Sequence, residues 1–226
     1  MGIFKPADIR EATEEAIKDF FESNFLKNRY QSYNIYQETS GKYIIDVHGD
    51  LVVANHELES LTNGLFEFRT VVGSFICNYC EKLKSLEGGP IDVYEFSAYQ
   101  CHSLKNLIGA PTTVRDGFFI KYCNNLESLE GSPEIVKGTF DCSHCKNLEN
   151  LVGAPKKVLN FDCGYCINLT SLKGIHYVEN IINCSGCKKL EEVNIPITFR
   201  KINLNGCLNI PEKYICDFYH MGILIC

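Results

Sequence analysis

Residues 140–190 read FDCSHCKNLENLVGAPKKVLN (140–160), FDCGYCINLTSLKGIHYVENI (161–181) and INCSGCKKL (182–190). Aligned on their first residue, the three lines share an apolar anchor (Phe, Phe and Ile) and agree at the cysteines two and five positions on and at the leucine eight positions on. Outward in both directions the anchor recurs as Phe75, Phe96, Phe118, Phe140, Phe161, Ile182 and Ile202, at spacings of 21, 22, 22, 21, 21 and 20 residues. The fifth position after it is cysteine every time: Cys80, Cys101, Cys123, Cys145, Cys166, Cys187 and Cys207. The second position holds Cys77, Ala98, Ile120, Cys142, Cys163, Cys184 and Leu204, and the eighth is Leu or, at 210, Ile. A looser unit around Leu51, Val53, Leu58 and Leu61 precedes the first clear one.

A fixed period near 21 residues marks stacked repeats, because one unit cannot bury its apolar edge alone and neighbours in register can. Each unit predicts one short strand, about positions −1 to +3 around the anchor, with anchor and +2 side chains pointing inward. Strands about 4.8 Å apart then build a parallel sheet. The +5 cysteine, small and polarisable, turns the chain off the sheet and fills a narrow interior. The return carries L-x-G-x-P, as at Leu107, Gly109 and Pro111. Gly and Pro disfavour a regular helix there, so the return is predicted as turns and extended chain.

These positions resemble the leucine-rich-repeat family, nearest its cysteine-containing type. Val93, Phe96, Ala98, Cys101 and Leu104 fill the family's apolar pattern, as do Val136, Phe140, Cys142, Cys145 and Leu148 with one extra residue. The resemblance covers about residues 51–210. It implies a leucine-rich-repeat solenoid, α/β in class, mostly parallel β with a turn-rich convex side. The Gly/Pro return is also similar to repeat proteins of large tailed phages. That likeness implies a host protein as partner, with this chain as its inhibitor in the host cytoplasm.

A solenoid exposes an apolar face at each end unless something covers it. Residues 1–50 are read as the N-terminal cap. Ile9, Ala12, Ala16, Ile17, Phe20, Phe21 and Phe25 share one helical face over 7–28. Asp8 and Glu11 form a capping box, and Lys18, Lys27 and Arg29 come late, as the helix dipole favours. Tyr30 to Val53 alternates around a turn at Glu38–Lys42 and predicts a β-hairpin. Residues 51–210 form seven to eight repeats. Residues 211–226 form the C-terminal cap, with a short helix after Pro211 and an apolar tail that is buried or meets a partner.

The net charge is −6 and the apolar fraction 45%. That balance argues against nucleic-acid or anionic-membrane binding, which need clustered Lys and Arg. It leaves room for a basic or mixed protein partner. No signal peptide or apolar span of membrane length is read, so the thirteen cysteines are assigned to a reducing cytoplasm. Four C-x-x-C pairs (Cys77/Cys80, Cys142/Cys145, Cys163/Cys166, Cys184/Cys187) would suggest zinc out of context. Both members of each pair are repeat-phase interior positions, and Ala98, Ile120 and Leu204 replace the first freely, so packing is the reading and no cofactor is assigned. Cys101-His102 and His144-Cys145 are neighbours whose side chains point apart, so they do not form a thiol–imidazole pair. No nucleotide-binding or nucleophile signature occurs, and no enzyme activity is assigned.

Positions −1, +1 and +3 face outward on the concave sheet. Aromatics gather there in the first three units, with Phe119 expected between Tyr99 and Tyr122. Asp141 and Asp162 stack in adjacent units and are read as a solvated polar ladder rather than a calcium site. The partner surface is assigned to Tyr79, Tyr99, Phe119, Lys121, Tyr122, Asp141, His144, Asp162 and Tyr165, since Tyr and Phe give much contact area for little entropy lost. The expected role is a non-enzymatic protein-interaction module, monomeric or weakly oligomeric. The alternatives are a self-assembling virion or scaffold component, joined through the apolar tail, and a cysteine-ligated zinc protein.

Overall fold

The computed structural model describes residues 6–26, 31–193, 195 and 198–225, and the side chains from residue 13 onward. The Asp8–Glu11 capping box, Ile9, Ala12, Lys27, Arg29, Tyr30 and Cys226 lie outside the described residues or side chains. Helix α1 (Pro6–Asn24) leads into β1 (Phe25–Leu26) and the pair β2 (Ser32–Gln37) and β3 (Tyr43–His48). The array runs through β4 (Leu51–Val53), β5 (Phe66–Ile76), β6 (Asp92–Ser97), β7 (Thr113–Val114), β8 (Phe118–Phe119), β9 (Ile135–Asp141), β10 (Lys157–Asp162), β11 (Tyr177–Val178), β12 (Ile181–Asn183) and β13 (Lys201–Asn203). Helix α2 (Glu212–His220) and β14 (Leu224–Ile225) follow. The β1–β4 and β2–β3 pairs are antiparallel, and the other strand pairs among the described residues are parallel. The architecture is a mostly parallel β-solenoid of about eight turns with few helices.

Register places the anchors on one another: Leu51 on Phe75, Phe75 on Phe96, Phe96 on Phe118, Phe118 on Phe140, Phe140 on Phe161, Phe161 on Ile182 and Ile182 on Ile202. The phenylalanines make an interior stack with successive ring centroids 5.8, 4.7, 5.4 and 5.2 Å apart. The strands reach further upstream than the sequence predicts. Val71, Val93, Val114, Val136 and Val158 also stand in register, and the ladder shifts between valine and anchor. The bend this bulge introduces turns each coil without breaking the sheet. Downstream the pairing continues through backbone bonds such as Cys142 N to Asp162 O and His144 N to Gly164 O, both 2.8 Å.

The +5 cysteines do more than fill space. Each Sγ from Cys101 onward donates to the +2 carbonyl of the preceding coil: Cys101 to Cys77 O (3.0 Å), Cys123 to Ala98 O (3.1 Å), Cys145 to Ile120 O (3.1 Å), Cys166 to Cys142 O (3.2 Å), Cys187 to Cys163 O (3.1 Å) and Cys207 to Cys184 O (3.0 Å). At +2 the amide bonds the next coil while the carbonyl points into the core, where an orphaned acceptor costs about 1–3 kcal/mol. The thiol is a donor compact enough for that space. Burial pushes the Cys123 thiol up to about 12 and raises the Cys145 thiol as well. Both remain protonated donors and poor nucleophiles.

Helix α1 seals the first coil with Ile17 and Phe21, the latter 4.4 Å from Tyr33 in ring centroids. Phe25 lies edge-on to Phe68 at 5.5 Å. The hairpin forms as its alternation predicts, and its second strand, β3, also pairs in parallel with β5. At the other end Pro211 precedes α2, which buries Phe218 against Phe199. The apolar tail becomes β14, half-buried and paired with β13. No helix among the described residues is long and apolar enough to cross a membrane.

Candidate functional site

The chain must leave the sheet one residue before each cysteine, and it does so through the left-handed region. Tyr79 (φ 61°), Gln100 (56°), Tyr122 (59°), His144 (61°), Tyr165 (59°), Gly186 (72°) and Gly206 (76°) occupy this +4 position in successive coils. Glycine adopts that backbone at no steric cost, whereas a residue with a Cβ there is strained by roughly 1–2 kcal/mol. The last two coils use the relaxed residue. The earlier ones accept strain in order to place large side chains.

Four of these side chains, with Tyr99 supplied from the position before Gln100, make a second aromatic stack outside the solenoid. Tyr79 meets Tyr99 at 5.1 Å and Tyr99 meets Tyr122 at 5.2 Å, both edge-on. His144 is then sandwiched, its ring nearly parallel to Tyr122 at 4.1 Å (7°) and to Tyr165 at 4.8 Å (6°). His56 extends the column at the other end, 6.2 Å from Tyr79. Gly186 ends it, since a Cβ there would lie 2.6 Å from the Tyr165 ring. Tyr79 and Tyr165 are about half exposed (49% and 52%), so the column offers ring edges and phenolic hydroxyls to a partner.

The +1 column divides the array in two. Asp141, Asp162, Asn183 and Asn203 each turn a side-chain oxygen back onto the +3 amide of their own coil, at 3.0, 2.8, 3.1 and 3.0 Å. These Asx turns set up the left-handed residue that follows. The second carboxylate oxygen of Asp141 pairs with Lys121 Nζ at 2.9 Å, and that of Asp162 accepts from Asn183 at 3.0 Å. The solvated ladder expected for these acids is therefore a hydrogen-bonded one, with Asp141 buried at 4% exposure beneath the Lys121 stem. In the earlier coils the same position carries Ile76, Ser97 and Phe119, which cannot cap in this way or, for Ser97, bond elsewhere. Ser97 Oγ donates to Asn78, whose Oδ1 also accepts from the Tyr99 amide at 2.8 Å. Phe119, half-buried, gives up a cap to show a phenyl ring. With Asn78, Tyr79, Ser97, Tyr99 and Lys121 it lines a shallow depression of about 380 Å³.

Electrostatics follow this geometry. The Asp141 carboxylate raises the Lys121 ammonium. Burial raises the Asp162 carboxyl, and neighbouring Asp141 adds to it. Burial lowers the His144 imidazole, so the stacked ring favours its neutral form. The repeat cysteines lie inside the coils, all buried but the half-buried Cys207. Cys163 and Cys184 approach to 3.6 Å between sulfurs. No group of three or more His, Cys, Asp or Glu among the described residues is arranged to hold a metal ion.

All nine residues assigned from sequence lie on one side of the array, in two adjoining strips. Tyr79, Tyr99, Tyr122, His144 and Tyr165 form the column, while Phe119, Lys121, Asp141 and Asp162 form the sheet face beside it. Phe119 lies beside the column rather than in it. The sequence reading missed the left-handed turn, for which Gly186 and Gly206 at the same phase were the available signal. It also missed His56, which belongs to the unit without a clear period. Comparison with protein-family models, with curated proteins and with solved structures finds no match.

Proposed function

We propose that this chain is a non-enzymatic protein-interaction module that holds a protein partner against its aromatic column and the adjoining sheet face. One observation carries the reading: Tyr79, Tyr122, His144 and Tyr165 occupy a backbone position whose relaxed residue is glycine, and the array uses glycine there only where the column stops. Strain retained in successive coils is a reason to look for function at that place. The depression at Phe119 adds a half-exposed apolar ring of the kind that anchors interfaces. Leucines at +8 and +11 support a solenoid of leucine-rich-repeat type. The likeness of the Gly/Pro return to phage repeat proteins supports a phage-encoded inhibitor of a host protein in the host cytoplasm.

Affinity capture with the full chain tests the reading. Wild type is expected to enrich one defined partner, and a folded Phe119→Asp/Tyr99→Ala variant to lose it. Undiminished recovery by that variant removes this surface from consideration. Exposed Leu208, Tyr219 and Met221 around α2 favour a second reading, self-assembly into a scaffold. Sedimentation would decide it, since a strict monomer at high concentration argues against assembly.

A further inference from the structure

The sheet face beside the column narrows the partner's chemistry. The Phe119 ring lies back across Gly117, and a Cβ on that glycine would overlap the ring. The phenyl is therefore laid along the sheet toward the −1 column instead of standing off it. That column carries Glu95 and, in the looser first unit, Asp50. Glu95 neighbours Gly117 across the ladder, where Phe96 N donates to Gly117 O at 3.0 Å. Asp116 precedes Gly117 in the chain, and Asp50 stands two coils back from Glu95 on the far side of Ser74, whose amide it accepts at 2.8 Å. Burial raises the Glu95 carboxyl, and the nearby charges of Asp116 and Asp50 raise it further. Among the described residues none of the three has an ion pair. Lys121, at the rim of the depression, is already engaged by Asp141.

An aromatic face beside unpaired like charges is destabilised as it stands and is relieved by a cation. Arginine suits it better than lysine. Its guanidinium is planar, weakly hydrated, stacks on rings and offers several N–H donors at once, whereas an ammonium is a strongly hydrated point charge. The net charge of −6 favours approach of a basic segment over an acidic one. We propose that this shelf takes an arginine side chain from a basic segment of the partner protein, its guanidinium over the Phe119 ring and its N–H groups on the carboxylates of Glu95 and Asp116. The proposal rests on the interaction-module reading and deepens it.

The full chain would be titrated into fluorescein-labelled peptides of alternating Arg-Gly, Lys-Gly and Glu-Gly, with anisotropy read at low and at physiological ionic strength. The Arg-Gly peptide is expected to bind best, more weakly as salt rises, and the Glu-Gly peptide not to bind. Glu95→Gln/Asp116→Asn should weaken Arg-Gly binding about tenfold, and Phe119→Leu about threefold by removing the ring's quadrupole while keeping an apolar side chain. Glu130→Gln/Glu149→Gln, which removes the same charge from the returning segments, should leave binding unchanged. Absence of Arg-Gly binding, equal losses in the two acid-to-amide pairs, an unmoved Phe119→Leu variant or equal affinity for Lys-Gly would each overturn the proposal. Retention of the native fold, checked by circular dichroism and the thermal midpoint, keeps each variant interpretable. A captured partner that is lost on Phe119→Asp/Tyr99→Ala yet kept on Glu95→Gln/Asp116→Asn would leave the module reading standing and remove the arginine.

Discussion

Cys145 is fully buried, and its thiol hydrogen ties one coil to the carbonyl of Ile120 in the coil before. Cys145→Ala removes both the sulfur's volume and that donor, leaving an acceptor with neither water nor protein. Urea unfolding should show a loss of about 1–3 kcal/mol. His144 makes a different prediction. Burial holds its folded pKa below the ordinary 6.5, so the unfolded chain takes up a proton first as pH falls. Stability is then fully present above pH 6.5 and is lost as pH descends through the window below it. Replacing it by His144→Gln should flatten that part of the profile between pH 7.5 and 5.5. An unchanged slope would mean the imidazole is not held neutral by the stack. Asp162 acts in the opposite sense at lower pH, since its carboxyl is raised, and the measurement should stop above that range.

At the scale of the element, the coil was legible in its interior and illegible at its corners. Anchor, +2, +5 and +8 residues are set by burial, and burial imposes one residue class at a fixed phase, which a sequence displays directly. The hairpin was legible for the same reason, as alternation around Ser40-Gly41. The bulge between Val71 and Phe75 was not, because its cost is met by backbone geometry and leaves no side-chain class behind. The left-handed +4 turn was hidden by its occupants, since Tyr79, Tyr122, His144 and Tyr165 do not look like turn residues. Asp141 was misread as solvated because its covering residue, Lys121, comes from another coil. The returning segments can be tested through their glycines. Gly174 has φ +112°, and a Cβ there would overlap the Leu151 carbonyl of the coil beneath, whereas Gly41 has φ +87° with no atom within 4 Å of its would-be Cβ. Gly41→Ala should cost about 1–2 kcal/mol for conformation alone. Gly174→Ala should cost at least about 3 kcal/mol, because two backbones must separate. Equal thermal midpoints for the two variants would show that the close approach is not needed.

For the whole molecule, near-neighbour stacking makes stability a sum over coils and their contacts. Deletion of residues 118–139 removes one complete turn and sets Phe140 in the place of Phe118. The shortened chain should fold with unchanged circular dichroism per residue, a lower urea midpoint, and no partner capture, because Phe119 and Tyr122 leave with the deleted turn. Deleting half that length should cost more than deleting the whole turn and split the unfolding transition, since the one shortened coil cannot stack in register on either neighbour. The candidate surface is likewise a property of the array: its residues come from consecutive turns, each contributing one to three, so no single segment contains it.

The thiol latches between turns also impose an order of events on synthesis. Once coiled, the ten sulfurs buried among the described residues are shut away from peroxide and from metal ions alike. Before coiling they are ordinary, accessible cysteines, and oxygen added to any one of them is too bulky and too polar to be taken back inside. Protection is thus won by speed of closure, and a newly made chain that lingers open under oxidising conditions must be reduced again before it can close, or is lost once a sulfur passes to the sulfinic acid.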